Sequence, residues 1–252
     1  MAKTARKLRR PRNSTQRPST LSSQRSVGVL SRVQSLDALR GIAILLMIID
    51  HVSGILLKVN IEYTSIRLWT RLSMPLFAVL MGYFLVAERP PNFRRLGHVV
   101  FACLLVNVTY VRLYSELEIL ASLLCAGLLF LVMRTKFAFA YLFIFLAPWD
   151  ISAEIFDYPL ALVIPCVALG YIVRKFGWLW GVINSLFALP LILWMEGPTQ
   201  LVLYFLLPAV LLVAGAARLQ KLRLYPLEFL GRYPLTIYVV QYYVIFSIAA
   251  LL

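Results

Sequence analysis

The sequence predicts an all-α membrane protein, a polytopic helical bundle of about nine spans with its N-terminus in the cytoplasm. Hydrophobic residues make up 61% of the 252 residues, charged residues make up 14%, and the mean hydropathy is +0.82. Soluble domains have roughly 45–50% apolar and about 25% charged residues. A soluble globular protein is therefore excluded, and a chain that crosses a membrane several times is indicated.

The apolar runs and the loops between them define the expected topology. We place the spans at residues 36–57, 68–86, 99–113, 117–133, 137–147, 158–173, 178–195, 201–217 and 234–252. The fifth run is short and is typical of a tilted or re-entrant helix. The loops expected inside hold 11 Lys and Arg residues against four in the loops expected outside, as the positive-inside rule requires. Pro75 is expected to kink the second span, Gly82 to permit close helix packing, and residues 218–232 to lie on the cytoplasmic face.

Residues 1–35 are expected to form a disordered basic cytoplasmic tail, and residues 36–252 the membrane domain. The tail holds nine Lys and Arg residues and no acid, which accounts for most of the chain's net charge of +14. Such a composition cannot bury a core, and its charge favours an anchor on anionic lipid. A transit peptide and a nucleic-acid-binding arm are the alternatives. Because no aromatic residues interleave with the basic ones, no nucleic-acid partner is expected.

The first span carries the side chains that point most directly to chemistry. Arg40 lies near one end, whereas Asp50 and His51 lie well inside. An ionisable group at mid-bilayer costs roughly 2.5–3.5 kcal/mol, so such residues are candidates for a functional site. Arg40 and His51 are eleven positions apart, which puts them on one helix face about 16 Å apart along the axis. This spacing suits a long ligand with an anionic head, and imidazole, with an ordinary pKa of about 6.5, suits proton abstraction.

Neighbouring spans are expected to complete this site. Arg71 enters the second span at the depth of Asp50, so we expect a buried ion pair between them. Glu116 and Glu118 begin the fourth span at the same level and could orient His51. Arg40 as a snorkelling arginine, and Asp50 with His51 as a polar pair joining helices, are the structural alternatives. The sequence holds no metal-ligand spacing, no GxSxG motif and no phosphate-binding glycine loop.

Several motifs resemble those of a known superfamily. The string LDALRGIAILLMIIDHV resembles the opening helix of the membrane acyltransferase superfamily (acyltransferase family 3-like), in which an Arg followed eleven positions later by a His recurs. The Asp50–His51 doublet, the segment 71–77 and the pair 82–83 are most similar to the TraX family within that group. Residues 230–238 resemble the closing helix, although Gln241 stands where relatives often have a His.

The resemblance implies an acetyltransferase of the bacterial inner membrane. It implies transfer of an acetyl group from cytoplasmic acetyl-CoA to a membrane-associated or extracytoplasmic acceptor, either a pilin-type protein or a glycan. His51 is then the general base or the acyl acceptor, and Asp50 is the second candidate catalytic residue. The candidate substrate-binding residues are Arg40, Arg71, Glu116 and Glu118, and the expected partners are membrane lipids, acyl-CoA and the acceptor, with no metal. A proton-coupled transporter that uses Asp50 and His51 as a relay, and a non-catalytic assembly factor, are the alternatives from other classes.

Overall fold

The computed structural model describes residues 33–59, 66–86, 93–195, 200–219 and 224–251. About 88% of these residues are helical and none forms a strand, which confirms the predicted all-α class. The predicted basic tail lies almost wholly outside the described residues. The α-helices are α1 (Gln34–His51), α2 (Ile66–Thr70), α3 (Ser73–Leu85), α4 (Phe93–Tyr114), α5 (Ile119–Met133), α6 (Leu160–Phe176), α7 (Trp178–Ala188), α8 (Gln200–Tyr204), α9 (Leu206–Arg218), α10 (Tyr225–Arg232) and α11 (Pro234–Leu251).

Five helical runs among the described residues are long and apolar enough to cross a membrane. They are Gln34–Leu56, Ile66–Leu85, Leu96–Tyr114, Ile119–Trp149 and Pro234–Leu251. The expected count of nine spans is therefore not supported. The sixth to eighth expected spans correspond to shorter apolar helices, because α6 has 17 residues and α7 and α9 have 11 and 13. An apolar run in the sequence shows burial, but it does not distinguish burial in lipid from burial within the protein.

The first span is a continuous helix that changes type next to His51. After α1, residues Val52–Leu56 form a single π-helical turn. Such turns are rare and occur frequently at functional sites, because the wider turn redirects the neighbouring side chains. Gly54 lies inside this turn, and its missing side chain leaves room for the Arg67 guanidinium, whose Nη2 would be 2.8 Å from a Cβ there.

The second span is interrupted at Arg71 and Leu72, where the chain makes a turn between α2 and α3. Pro75 is the cause, because its ring clashes with the carbonyl of the residue four positions earlier, which is Arg71. The backbone N–H groups of Arg71 and Leu72 instead bond the carbonyls three residues back, those of Leu68 and Trp69, at 3.2 Å each. The predicted irregularity therefore lies just before the proline. Because of it, side chains on α2 and α3 do not follow the spacing of one continuous helix.

The run Ile119–Trp149 folds back on itself. Helix α5 ends at Met133. The next residue, Arg134, has a φ of 44°, which no ordinary helix contains, and a 3₁₀ helix (Arg134–Trp149) begins there. Leu117 pairs with Phe156 in an isolated bridge, so the two ends of the run lie side by side. At the opposite end, the Thr135 carbonyl accepts hydrogen bonds from Tyr171 and Lys175. The expected fourth and fifth spans thus lie in this one run, on either side of the reversal.

Two pairs of helices meet backbone to backbone through glycines. A Cβ at Gly82 on α3 would lie 1.8 Å from the Val167 carbonyl oxygen on α6, and one at Gly170 on α6 would lie 1.9 Å from the Val79 carbonyl oxygen. The prediction that Gly82 permits close packing is confirmed. Helix α6 is buried over most of its length, so this contact forms the centre of the bundle.

Helix α10 packs on the first half of α1 in the same way. A Cβ at Gly41 would lie 2.0 Å from the Leu227 carbonyl oxygen, and one at Gly231 would lie 1.7 Å from the Asp37 carbonyl oxygen. The opposite face, with Phe229, stays exposed. Helix α10 is therefore fixed to α1 by one face. Residues 220–223 lie outside the described residues, and the position of the segment 218–232 on the cytoplasmic face stays a prediction.

Candidate active site

One cavity of about 1400 Å³ connects the two predicted ends of the site. Arg40 and His51 both line it, as their eleven-residue spacing on one helix predicts. The helical rise puts them about 16 Å apart along α1. Pockets for drug-sized ligands hold roughly 300–1,000 Å³, so this cavity has room for something larger and elongated. We call its two ends the Arg40 end and the His51 end.

At the Arg40 end, the guanidinium lies over an aromatic ring. Arg40 Nη1 lies 3.2 Å from the Asp37 carboxylate, and Cζ lies 3.8 Å from the centroid of Phe84. Five further Lys and Arg side chains line the cavity as a whole, namely Arg67, Arg71, Arg134, Lys175 and Arg232. Several cationic groups in one cleft favour an anionic ligand.

At the His51 end, the imidazole is held by the closing helix. His51 Nδ1 lies 3.4 Å from Gln241 Nε2, and the His51 ring meets the edge of Tyr238 with centroids 6.3 Å apart. Glu118 does not orient His51, because its side chain accepts the Leu120 backbone N–H at 2.8 Å and so caps α5. Glu116 is half-buried and does not line the cavity, whereas Glu118 does.

The predicted ion pair between Asp50 and Arg71 is wrong. The Asp50 carboxylate accepts the Thr70 hydroxyl at 2.7 Å and meets Arg67 Nε at 3.4 Å. Arg71 instead donates to the Tyr158 hydroxyl at 2.5 Å. The break in front of Pro75 explains why Arg67 replaces Arg71 as the partner of Asp50. Helix α2 presents Arg67 and Thr70 to Asp50, whereas the turn directs Arg71 to Tyr158. Arg71 nevertheless lines the cavity, as predicted for the site.

Two acidic side chains form a part of the His51 end, and the sequence pattern did not predict one of them, Asp157. Asp157 lines the cavity on the segment before α6, and burial raises the pKa of its carboxyl to about 6, although the nearby Arg71 charge opposes this shift. Burial also raises the pKa of Glu118 to about 8, against the stabilising Leu120 N–H. In the sequence, Asp157 is one of several acidic residues in a loop, and nothing distinguishes it from the others. It comes near Glu118 because the neighbouring residues Leu117 and Phe156 pair with each other.

Four buried polar atoms at this end have no hydrogen-bond partner among the described residues. They are Arg71 Nε, Tyr238 Oη, Gln241 Oε1 and Tyr242 Oη. The three residues on α11 are spaced i, i+3 and i+4 and therefore share one face; each is at least nine-tenths buried. An unsatisfied buried polar atom costs about 1–3 kcal/mol, so four together indicate a place built for a polar ligand.

The first part of the chain is similar to a known protein family. Residues 33–114 match the family model described as an acyltransferase domain, which is about a third of the chain. The matched stretch includes Arg40, Asp50, His51 and Arg71. This similarity supports the acyltransferase-3 superfamily and a membrane acyltransferase-like function, without distinguishing the TraX family. Neither a search of curated proteins nor a search of solved structures gave a significant match.

Proposed function

We propose that the protein is a membrane acetyltransferase that takes an acetyl group from acetyl-CoA and passes it to an acceptor hydroxyl or amine at the His51 end of the cavity. The observation that carries the proposal is the single cavity with a cationic group at one end and a buried imidazole at the other. Both groups lie on the helix that begins the stretch similar to the acyltransferase domain.

The Arg40 end suits the anionic head of the donor. Arg40, Arg134, Lys175 and Arg232 line the same cavity, and guanidinium and ammonium groups bind phosphates by charge-assisted hydrogen bonds. The pantetheine arm of CoA is about as long as the 16 Å between Arg40 and His51 along the helix. The basic residues that precede α1 favour a cytoplasmic position for the Arg40 end, on the side of the membrane where acetyl-CoA is found.

The His51 end supplies the proton transfer. His51 takes the proton from the acceptor O–H or N–H while the acceptor atom bonds the acetyl carbonyl carbon. The carbon–sulfur bond breaks, and the same proton passes from His51 to the departing thiolate, so that acetylated acceptor and free CoA result. Tyr238 Oη and Arg71 Nε are buried donors without a partner among the described residues, and they stabilise the negative charge that develops on the carbonyl oxygen.

The finer assignment rests on the resemblance. The segment 71–77 and the Asp50–His51 doublet resemble the TraX family, and this resemblance favours a pilin-type protein as acceptor, with a glycan as the alternative. The bacterial inner membrane is the expected location. In this proposal Asp50 holds α1 against α2 and takes no part in the reaction, because its carboxylate pairs with Arg67 and accepts a hydrogen bond from Thr70.

The test follows a labelled acetyl group from acetyl-CoA into lipid, glycan and protein fractions of membranes that contain the wild-type chain. His51→Ala should abolish incorporation at equal protein abundance. Arg40→Ala should raise the KM for acetyl-CoA. Arg218→Ala is the matched control, because Arg218 also stacks on an aromatic ring, with Cζ 4.9 Å from the Trp178 centroid, but does not line the cavity.

Each outcome of this test decides between the candidate functions. Incorporation that requires His51 supports the transferase and identifies the acceptor class. A labelled His51 side chain would identify this residue as the acyl acceptor rather than the base. Incorporation that is the same in membranes lacking the protein overturns the proposal. A proton flux that depends on Asp50 would then support the transporter, and the absence of both would support the assembly factor.

A further inference from the structure

A contact between two residues far apart in the sequence orients the His51 ring. Gln241, on the closing helix α11, meets His51 Nδ1 at 3.4 Å although 190 positions separate the two residues. Gln241 is only 8% exposed, so water does not readily replace its amide. The edge of Tyr238, one turn earlier on α11, restricts the plane of the same ring.

The carboxylates that usually orient a histidine are engaged elsewhere. Asp50 is bonded to Thr70 and Arg67, and Glu118 caps α5. Among the described residues, Gln241 is the group within hydrogen-bond reach of a His51 ring nitrogen. The imidazole is therefore oriented by a neutral amide.

An amide can hold either tautomer of a neutral imidazole. When Gln241 Nε2 faces the ring, it donates to Nδ1, and the ring hydrogen lies on the His51 Nε2. After a rotation of the amide by 180°, Oε1 accepts the Nδ1–H, and the lone pair of the His51 Nε2 is free to accept a proton. The second orientation pairs Gln241 Oε1, which is buried and otherwise unsatisfied, in exchange for the contact that Nε2 makes in the first.

We propose that Gln241 is the positioning residue that selects the tautomer of His51, and that the orientation with Oε1 on Nδ1 is the reactive one. This inference rests on the proposed function for its catalytic meaning, since a base needs an unprotonated Nε2. The coupling between the Gln241 amide and the His51 tautomer can be measured without any reaction.

The experiment uses the small number of histidines. The chain has two, His51 and His98, so His98→Gln leaves one imidazole to be observed. Nitrogen-15 NMR of this protein, labelled at histidine and held in lipid nanodiscs, reports which ring nitrogen carries hydrogen. The variants are Gln241→Met, which keeps the approximate length but neither donates nor accepts as an amide, and Gln241→Glu, whose carboxylate only accepts. Gln200→Met is the control, because Gln200 donates to the Ile192 carbonyl and does not line the cavity.

We expect Gln241→Glu to move the hydrogen onto Nδ1, Gln241→Met to change the tautomer ratio, and Gln200→Met to leave the spectrum as in the parent protein. Unchanged His51 signals in both Gln241 variants would overturn the inference. In the acetyl-transfer assay, Gln241→Met should lower kcat by about tenfold or more with little change in the KM for acetyl-CoA, and Gln241→Glu should recover part of this loss. A tautomer effect in a protein that transfers no acetyl group would refute the proposed function and leave the coupling intact.

Discussion

Replacing Gly82 by alanine should destabilise the bundle, because this glycine lies where the backbones of α3 and α6 touch. The new Cβ would lie 1.8 Å from the Val167 carbonyl oxygen and 2.8 Å from its carbonyl carbon, whereas ordinary contacts begin at 3.4 Å. The two helices would have to separate by about 1.6 Å. Helix α6 is packed on several sides, so this movement disturbs contacts beyond the one that causes it.

The magnitude follows from two opposing effects. Overpacking a tight contact costs about 1–3 kcal/mol, occasionally more, whereas alanine in a helix recovers about 1 kcal/mol relative to glycine. Because the contact is with backbone that cannot rotate away, we expect the upper part of the range and a net loss of about 2 kcal/mol. Gly215 in α9 is the matched control, since a Cβ there meets no described atom within 4 Å. Gly215→Ala should gain up to about 1 kcal/mol.

The reciprocal glycine makes the test sharper. A Cβ at Gly170 would lie 1.9 Å from the Val79 carbonyl oxygen of the same helix pair. Once one alanine has separated the helices, the second meets less resistance. The double variant should therefore lose less stability than the sum of the single variants, by about 1 kcal/mol.

The assay is unfolding of the purified protein in mixed micelles, with helix content and tryptophan fluorescence followed together. Equal free energies of unfolding for Gly82→Ala and Gly215→Ala would contradict this prediction. The α3–α6 contact is the cause to which we attribute the difference in stability between the two variants. Strict additivity of Gly82→Ala and Gly170→Ala would show that the two contacts do not share one helix separation.

Two further predictions concern the His51 end. The pKa of Glu118, raised by burial to about 8 from 4.5, means that the folded chain keeps a proton which the unfolded chain releases, so the free energy of unfolding should fall as pH rises from about 4.5 to 8. Glu118→Gln should flatten this decline in denaturation series across that range, and Glu116→Gln should not; parallel curves for wild type and Glu118→Gln would contradict the assignment. Tyr158→Phe removes the 2.5 Å hydrogen bond of the Arg71 guanidinium and should cost about 1.5–3 kcal/mol, the range for a bond to a charged group. Tyr141→Phe, which removes a neutral bond to the Asn184 carbonyl, should cost about 1 kcal/mol, and a smaller loss at Tyr158 than at Tyr141 would count against a charged Arg71.

The sequence predicted the parts of the site that lie on one regular helix. The periodicity of α1 alone was sufficient to place Arg40 and His51 on one face, and both line the cavity. The same reasoning failed for Arg71, because counting depth along a span assumes a continuous helix and the turn at Arg71 interrupts it. The partner of Asp50 is therefore Arg67, one helical turn earlier.

Contacts between distant segments could not be predicted in this way. Gln241 was visible only as a difference from relatives, since nothing in its neighbours indicates which residue of α1 it meets. The span count failed for a related reason. Length and hydropathy describe each helix separately, whereas α6 is apolar because other helices surround it.

The close packing of the helices supports the polar groups of the site, which are themselves destabilising. Four buried polar atoms without partners among the described residues weaken the His51 end by about 1–3 kcal/mol each, and a fold with loose helix contacts would close this cavity or rotate the groups away. The backbone contacts at Gly82 and Gly170 and at Gly41 and Gly231 hold α3 and α1, the two helices that supply much of the cavity wall, in fixed positions. The close packing therefore keeps the polar groups of the His51 end in fixed positions, which is the preorganisation that electrostatic catalysis requires.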